Sequence, residues 1–514
     1  MVPHPRAGTA VPPPPGGRGV PPGVRVEEVS TPPTAPLPPA DDARPRGPLP
    51  RRALRGLRRL VAALSRPPAD DVPTASAADA ARLLVGVLAP VAARGAIVRR
   101  PRVVTLVARL DLDTRAVATV RRLRDTYGPD PVHVRVLGRS VVVPVEPEDV
   151  RRVLDGAPEP FSPASREKRG ALSHFQPRGL LISSPADRRV RRPFNESVLD
   201  AGQPLHHLAG PFSAAVAEEA RALSAEARAD GALTWPHLSR AWWRAVRRVT
   251  LGDAARDDEQ VTDDLQALRR RANWSGLVPV DHRTRERFLG RVRGYVDAAE
   301  PGSLAALVAT TPARPGLAPH EQVPQWLFAF DAAAWASARA LELLAAHPEL
   351  ARRVREEAPV PSTSPDAEVH RRPVVRSLLL ESLRLWPTTP AVLRDTTAPT
   401  AWRTGSLPAG ASVVVLAPFF HRDASRLPQA HRLAPELWLD DDGQEQPGAA
   451  VDWPLVPFSA GPGMCPGRGV VLLTTSTLLA TLAADGWRPR TPRLRADAPL
   501  PGTLDPFALD LLPA

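Results

Sequence analysis

The chain contains one cysteine, Cys465, set in Phe458-Ser-Ala-Gly461-Pro-Gly463-Met-Cys465-Pro-Gly467-Arg468. A single cysteine rules out any intramolecular disulfide. Glycines at 461, 463 and 467 let backbone approach a bulky neighbour closely. The apolar run Val470 to Leu473 follows, which predicts a helix starting just past the sulfur. A helix N-terminus favours a thiolate over a thiol. The segment reads either as a glycine turn around a buried structural cysteine or as a loop offering a thiolate to a soft metal or a heme iron.

A second segment, Ser377-Leu-Leu-Leu-Glu381-Ser-Leu-Arg384-Leu-Trp386-Pro387, reads as a helix closed by proline. Glu381 and Arg384 are three apart and share one face. Six apolar side chains surround them, Leu378, Leu379, Leu380, Leu383, Leu385 and Trp386. That setting predicts a buried pair with further hydrogen-bond partners, and not a surface ion pair worth about 0–1 kcal/mol.

Together these segments resemble the cytochrome P450 family of heme-thiolate monooxygenases, in its soluble bacterial form. Phe458, Gly461, Cys465 and Gly467 match the family's heme-binding signature, and Glu381 with Arg384 match its Glu-x-x-Arg pair. Between them, His421-Arg-Asp423, Pro428, Arg432 and Pro435-Glu-Leu437-Trp438 resemble the family's connecting loop. Leu437 stands where arginine is usual, and Arg432 is the candidate substitute. Upstream, Trp326 to Trp335 followed by His347-Pro348-Glu349 resembles the oxygen-binding helix. The resemblance covers about residues 101–514, with gaps in the middle.

The resemblance implies heme b as cofactor, with Cys465 as iron ligand and Phe458 shielding the sulfur in a loop shaped by Gly461 and Gly467. Glu381 and Arg384 take a structural role beneath the heme. Arg191 and Arg394 pair with the propionates. Asp331 is the acid of the oxygen site, and Phe328, Phe330, Ala332 and Ala333 border the substrate space. Three further departures stand out. Gly463 replaces an arginine or histidine, Asp187 replaces a histidine, and Ala332 replaces the threonine that handles protons. The first two leave fewer propionate donors than usual.

Asp331 has no ion-pair partner within its own apolar helix, and burying a lone carboxylate is costly. It faces a polar cavity, or breaks the helix hydrogen bonding locally, or reaches solvent on a rotated helix. Without a hydroxyl at 332, protons travel through ordered water or a substrate hydroxyl. Otherwise hydrogen peroxide bypasses the relay, or the chemistry is one-electron aryl coupling.

The patterning predicts a mainly α fold with small β-sheets in a single heme domain, 101–514. Val132 to Pro144 reads as a two-strand hairpin between helices at 116–127 and 148–154, and 205–320 reads as mostly helical. Many of the 63 prolines cluster in residues 1–50, which read as a disordered tail. Residues 51–100 read as a basic and apolar helical extension. Its first part, 51–66, is amphipathic and suits an anionic membrane surface, a partner or its own domain. No apolar run approaches the roughly 20 residues of a spanning helix, and no secretory signal is visible, so the expected location is the cytoplasm.

The chain carries 67 basic and 55 acidic residues, a net charge of +12, and Lys168 is its sole lysine. Arginine is spread along the chain without aromatic interleaving or a recognised motif, which argues against nucleic-acid binding. Basic residues near Cys465 suit an acidic electron carrier. The expected activity is oxidation of a small lipophilic substrate with dioxygen and electrons from a ferredoxin and ferredoxin reductase. The alternatives are a peroxide-driven or aryl-coupling heme enzyme, and a non-catalytic heme- or ligand-binding protein.

Overall fold

The computed structural model describes residues 72–136, 138–357, 370–446 and 455–514, all within one compact unit, Leu60–Ala514. The tail 1–50 and the basic segment 51–66 lie outside the described residues. Helices dominate, and the strands form sheets of five, three and two members among the described residues. The mainly α fold with small sheets is therefore the one the patterning predicts.

The five-stranded sheet runs in the spatial order Val132–Val136, Arg139–Val143, Ser412–Leu416, Ala391–Thr396, Phe161–Ser162. The expected hairpin forms its outer pair, with Val132 opposite Val143. Ser412–Leu416 is buried at every position, which is why it reads as continuous valine without polar alternation. It pairs antiparallel with Ala391–Thr396 and sets Arg394 opposite Val413. The helix Leu112–Tyr127 closes one side through Val120 and Leu123, joined by Leu83 and Val87 from residues 77–88.

A second core surrounds the helix Val323–Ala346. Its 24 residues span about 36 Å. It stops where Pro348 forces the preceding residue out of helical geometry. The helix Pro373–Leu385 crosses it, and Ser382 Oγ donates to Ala336 O at 3.0 Å. The orphan N–H groups of Val374 and Val375 donate to the Glu357 carboxylate at 2.7 and 2.9 Å, an anion at a helix N-terminus.

The helix Arg468–Asp485 begins just past Cys465, as the spacing predicts. It buries Thr474, Thr475, Ser476, Thr477 and Thr481. Each hydroxyl donates to a carbonyl three or four residues back, so none is buried unpaired.

Candidate functional site

The loop before that helix is tied from inside and from below. Cys465 N–H donates to Phe458 O at 3.0 Å and closes it. Gly461 has φ 60°, and a Cβ there would lie 2.7 Å from Leu154 O, so glycine alone fits against the helix Pro147–Asp155. Gly467 is less constrained, since its Cβ would sit 4.0 Å from Cys465 Sγ, an ordinary contact. Burial pushes the Cys465 thiol up, while the Gly467 N–H, Arg192 and Arg468 favour the thiolate.

Beneath the loop, Glu381 and Arg384 are both fully buried. Arg384 Nε donates to Glu381 Oε2 at 2.8 Å and Nη2 to Oε1 at 2.5 Å, a bidentate fork. The remaining guanidinium N–H groups reach the carbonyls of His421, Ala430, Gln429 and Arg432 at 2.8–3.2 Å. Glu381 also accepts from Ala434 N at 2.8 Å and Trp438 Nε1 at 3.0 Å. These bonds explain why Leu437 is tolerated. Backbone carbonyls and an indole complete the network, and Arg432 contributes its carbonyl while its side chain is exposed. That corrects the expected side-chain substitution. His421, packed beside Arg384, is pushed down to about 3 by burial and that charge.

The long helix is buried on most faces, yet Gln325, Phe328, Ala329 and Ala332 keep exposure. Their spacing marks one helical stripe that opens onto free space. Phe328 and Ala332 of the expected substrate border lie on it. Phe330 and Ala333 do not, because they are buried in the core. Phe330 packs edge-on to Trp242 with centroids 5.9 Å apart, and Trp242 Nε1 donates to Phe330 O at 2.9 Å. Ala329, which sequence reasoning passed over, is the most open position of the stripe.

Asp331 flanks the stripe and is buried. Its Oδ2 pairs with Nη2 of Arg269, a fully buried arginine on the helix Glu259–Ala272. The same Nη2 donates to Ile97 O at 3.2 Å, and the guanidinium lies 5.2 Å from the Phe328 ring centroid. Asp331 thus neither breaks its helix nor turns to solvent. Its partner comes from another helix, and no local pattern near 331 announces it.

Arg394 is buried on its strand, with Nη2 3.3 Å from Ser459 Oγ and Nε without a partner. A Cβ on Gly463 would stand 3.1 Å from Arg394 Nη2. The guanidinium crowds the space where a side chain at 463 would begin. Arg191, on the helix Pro185–Val198, donates to Ser183 Oγ at 2.9 Å and pairs with Asp187 at 3.6 Å. The acid at the expected histidine position therefore already partners Arg191. On the adjacent face, Arg188 and Arg192 donate to the carbonyls of Pro462 and Met464 at 2.9 and 2.7 Å.

The family model for Cytochrome P450 matches residues 322–483, which hold the long helix, the Glu381–Arg384 brace and the cysteine loop. Over that stretch, about a third of its length, the chain is similar to the cytochrome P450 family. It is 34% identical over 164 residues to cyclooctat-9-en-7-ol 5-monooxygenase of Streptomyces melanosporofaciens, covering 31% of this chain and 33% of that protein. It is 31% identical over 163 residues to probable cytochrome P450 4s3 of Drosophila melanogaster, covering 32% and 31%. The matched stretch spans about a third of the length of these relatives. In fold the chain is similar to the retinoic acid-bound cyanobacterial CYP120A1, with TM-score 0.60 over 76% of this chain and 93% of that one, at 17% identity.

Cytochromes P450 carry heme b, and the donor set here fits that group. A lone thiol sits just before a helix start, and the buried Arg394 Nε lacks an acceptor that a propionate would supply. An open apolar stripe on the long helix offers a wall for a planar apolar ring. Among the described residues, no helix is long and apolar enough to cross a membrane.

Proposed function

We propose that this protein is a heme-thiolate monooxygenase acting on a small lipophilic substrate, with dioxygen as oxidant and a ferredoxin-type carrier as electron source. The observation that carries the reading is Cys465, the chain's one thiol, set just before a helix start in a loop closed by its own N–H on Phe458 O and braced by the Glu381–Arg384 network. Cys465 would hold the iron. The heme, when bound, supplies the redox chemistry by which two electrons and two protons turn dioxygen and substrate into hydroxylated product and water.

The protein's own residues set the surroundings of that chemistry. Phe328, Ala329 and Ala332 give an apolar wall that excludes water and leaves room where a threonine would stand. Arg269 holds one oxygen of Asp331, so the acid has a fixed direction from which to pass a proton. Arg192 and Arg468 favour the thiolate and place positive charge near the sulfur, which suits an acidic carrier. Glu445 partly offsets it by pairing with Arg468 and Arg376.

A peroxide-driven reaction is the second reading, and Ala332 favours it. With no hydroxyl beside Asp331 and that acid tied to Arg269, proton supply is narrower than the family's usual arrangement.

The test is the carbon monoxide difference spectrum of the reduced protein, followed by turnover assays. The red-shifted Soret band of thiolate-bound ferrous heme is expected, and Cys465→Ser should abolish it. A wild-type protein with heme but no such band, or an unchanged band in the variant, would refute the assignment. Product formation with peroxide and no reductase would select the second reading; dependence on NAD(P)H and ferredoxin would select the first.

A further inference from the structure

Lys168 is the only lysine in a chain otherwise furnished with arginine, and it belongs to none of the motifs above. It sits on the short helix Arg166–Leu172, half-buried, with Nζ turned inward. Nζ donates to Pro163 O at 3.1 Å and to Leu393 O at 3.0 Å. An ammonium has three protons, so one remains. Arg394 Nη1 donates to the same Leu393 O at 3.0 Å. Two cations therefore converge on one carbonyl oxygen.

A third cation lies near Arg394. Arg188, buried on the helix Pro185–Val198, donates to Pro462 O, one residue before the Gly463 against which Arg394 packs. Among the described residues, no carboxylate forms an ion pair with Lys168, Arg188 or Arg394. The nearby acids are engaged elsewhere. Asp395 accepts from Arg166 N at 2.8 Å and Ser412 Oγ at 3.0 Å, and Glu167 pairs with Arg139.

Three inward-facing cations without counter-ions are costly to bury. They are accounted for if the cluster meets an anion with more than one carboxylate. Burial, with Arg394 next, pushes Lys168 down to about 7, as expected for an ammonium whose counter-ion is missing.

We propose that Lys168, together with Arg188 and Arg394, forms the cradle for the heme propionates and takes over the task left vacant by Asp187 and Gly463. The proposal rests on the heme-protein reading above. It assigns a residue outside the family signatures, and it gives a reason for the departures: Arg191 is partnered by Asp187, and the place of a side chain at 463 is filled by Arg394.

The test measures heme loss from the purified holoprotein to excess apomyoglobin. Lys168→Met, which keeps the stem and removes the charge, should accelerate loss about tenfold, the scale of one charge-assisted hydrogen bond. Both proteins are then reconstituted with heme dimethyl ester, whose propionates carry no charge, and should now lose it at equal rates. Equal loss of native heme by the two proteins overturns the proposal. So does an equal acceleration with the ester, which would mark Lys168 as merely structural. Lys168→Gln is read by the same criteria if the methionine variant does not fold. A wild-type protein that takes up no heme overturns the heme reading itself, whereas heme held equally well without Lys168 overturns this proposal alone.

Discussion

Glu381→Gln is nearly isosteric, and the structure predicts that it is severe. Each carboxylate oxygen serves two donors: Oε1 accepts from Arg384 Nη2 and Ala434 N, and Oε2 from Arg384 Nε and Trp438 Nε1. An amide must place its NH2 at one of these positions, against two N–H groups. Two hydrogen bonds are lost, two donors are left facing a third, and the Arg384 charge stays buried without a counter-ion. Breaking one side of a buried pair costs about 3–5 kcal/mol. The separate hydrogen-bond losses belong within that figure, since these groups act as one network.

The assay is equilibrium urea unfolding of wild type, Glu381→Gln, Arg384→Leu and the double variant. The single glutamine variant should lose about 3–5 kcal/mol. The double variant should lose less than the sum of the singles, because no charge remains to be stranded. A glutamine variant within about 1 kcal/mol of wild type, or strict additivity in the double, would refute the network as described.

Two further outcomes follow from the buried cations. Arg269→Met strands the Asp331 carboxylate and should destabilise the protein by about 3–5 kcal/mol; adding Asp331→Asn should recover part of that loss, and additivity in urea unfolding would show the pair uncoupled. Heme retention should also depend on pH through Lys168, whose heme-free value is about 7 and which faces Arg394, Asp395 and Glu167. A propionate beside it raises its affinity for a proton. The benefit is then fully present below about pH 7 and lost as pH rises through the heme-bound value. Transfer to apomyoglobin should quicken from pH 6.5 to 9 in wild type more than in Lys168→Met; parallel profiles would remove Lys168 from the linkage.

Much of this protein was written locally in its sequence. The helix after Cys465, the hairpin at 132–143 and the buried Glu381–Arg384 pair follow from short-range patterns, because helical and strand periods, glycine conformation and the cost of charge in apolar surroundings act over a few residues. The resemblance to the cytochrome P450 family over residues 322–483 was legible for the same reason, since its signatures are compact.

What the tertiary structure decided is who meets whom. Arg269 lies 62 residues from Asp331, and Lys168 lies 225 residues from the Leu393 carbonyl it shares with Arg394. Likewise, the rotation of the long helix put Ala329 and Ala332 on the open stripe and Phe330 in the core, although all three belong to one apolar run. A sequence states which side chains carry charge and which repel water. Counter-ions are set by packing between elements far apart in the chain, so a buried charge can be recognised as needing a partner before that partner can be named.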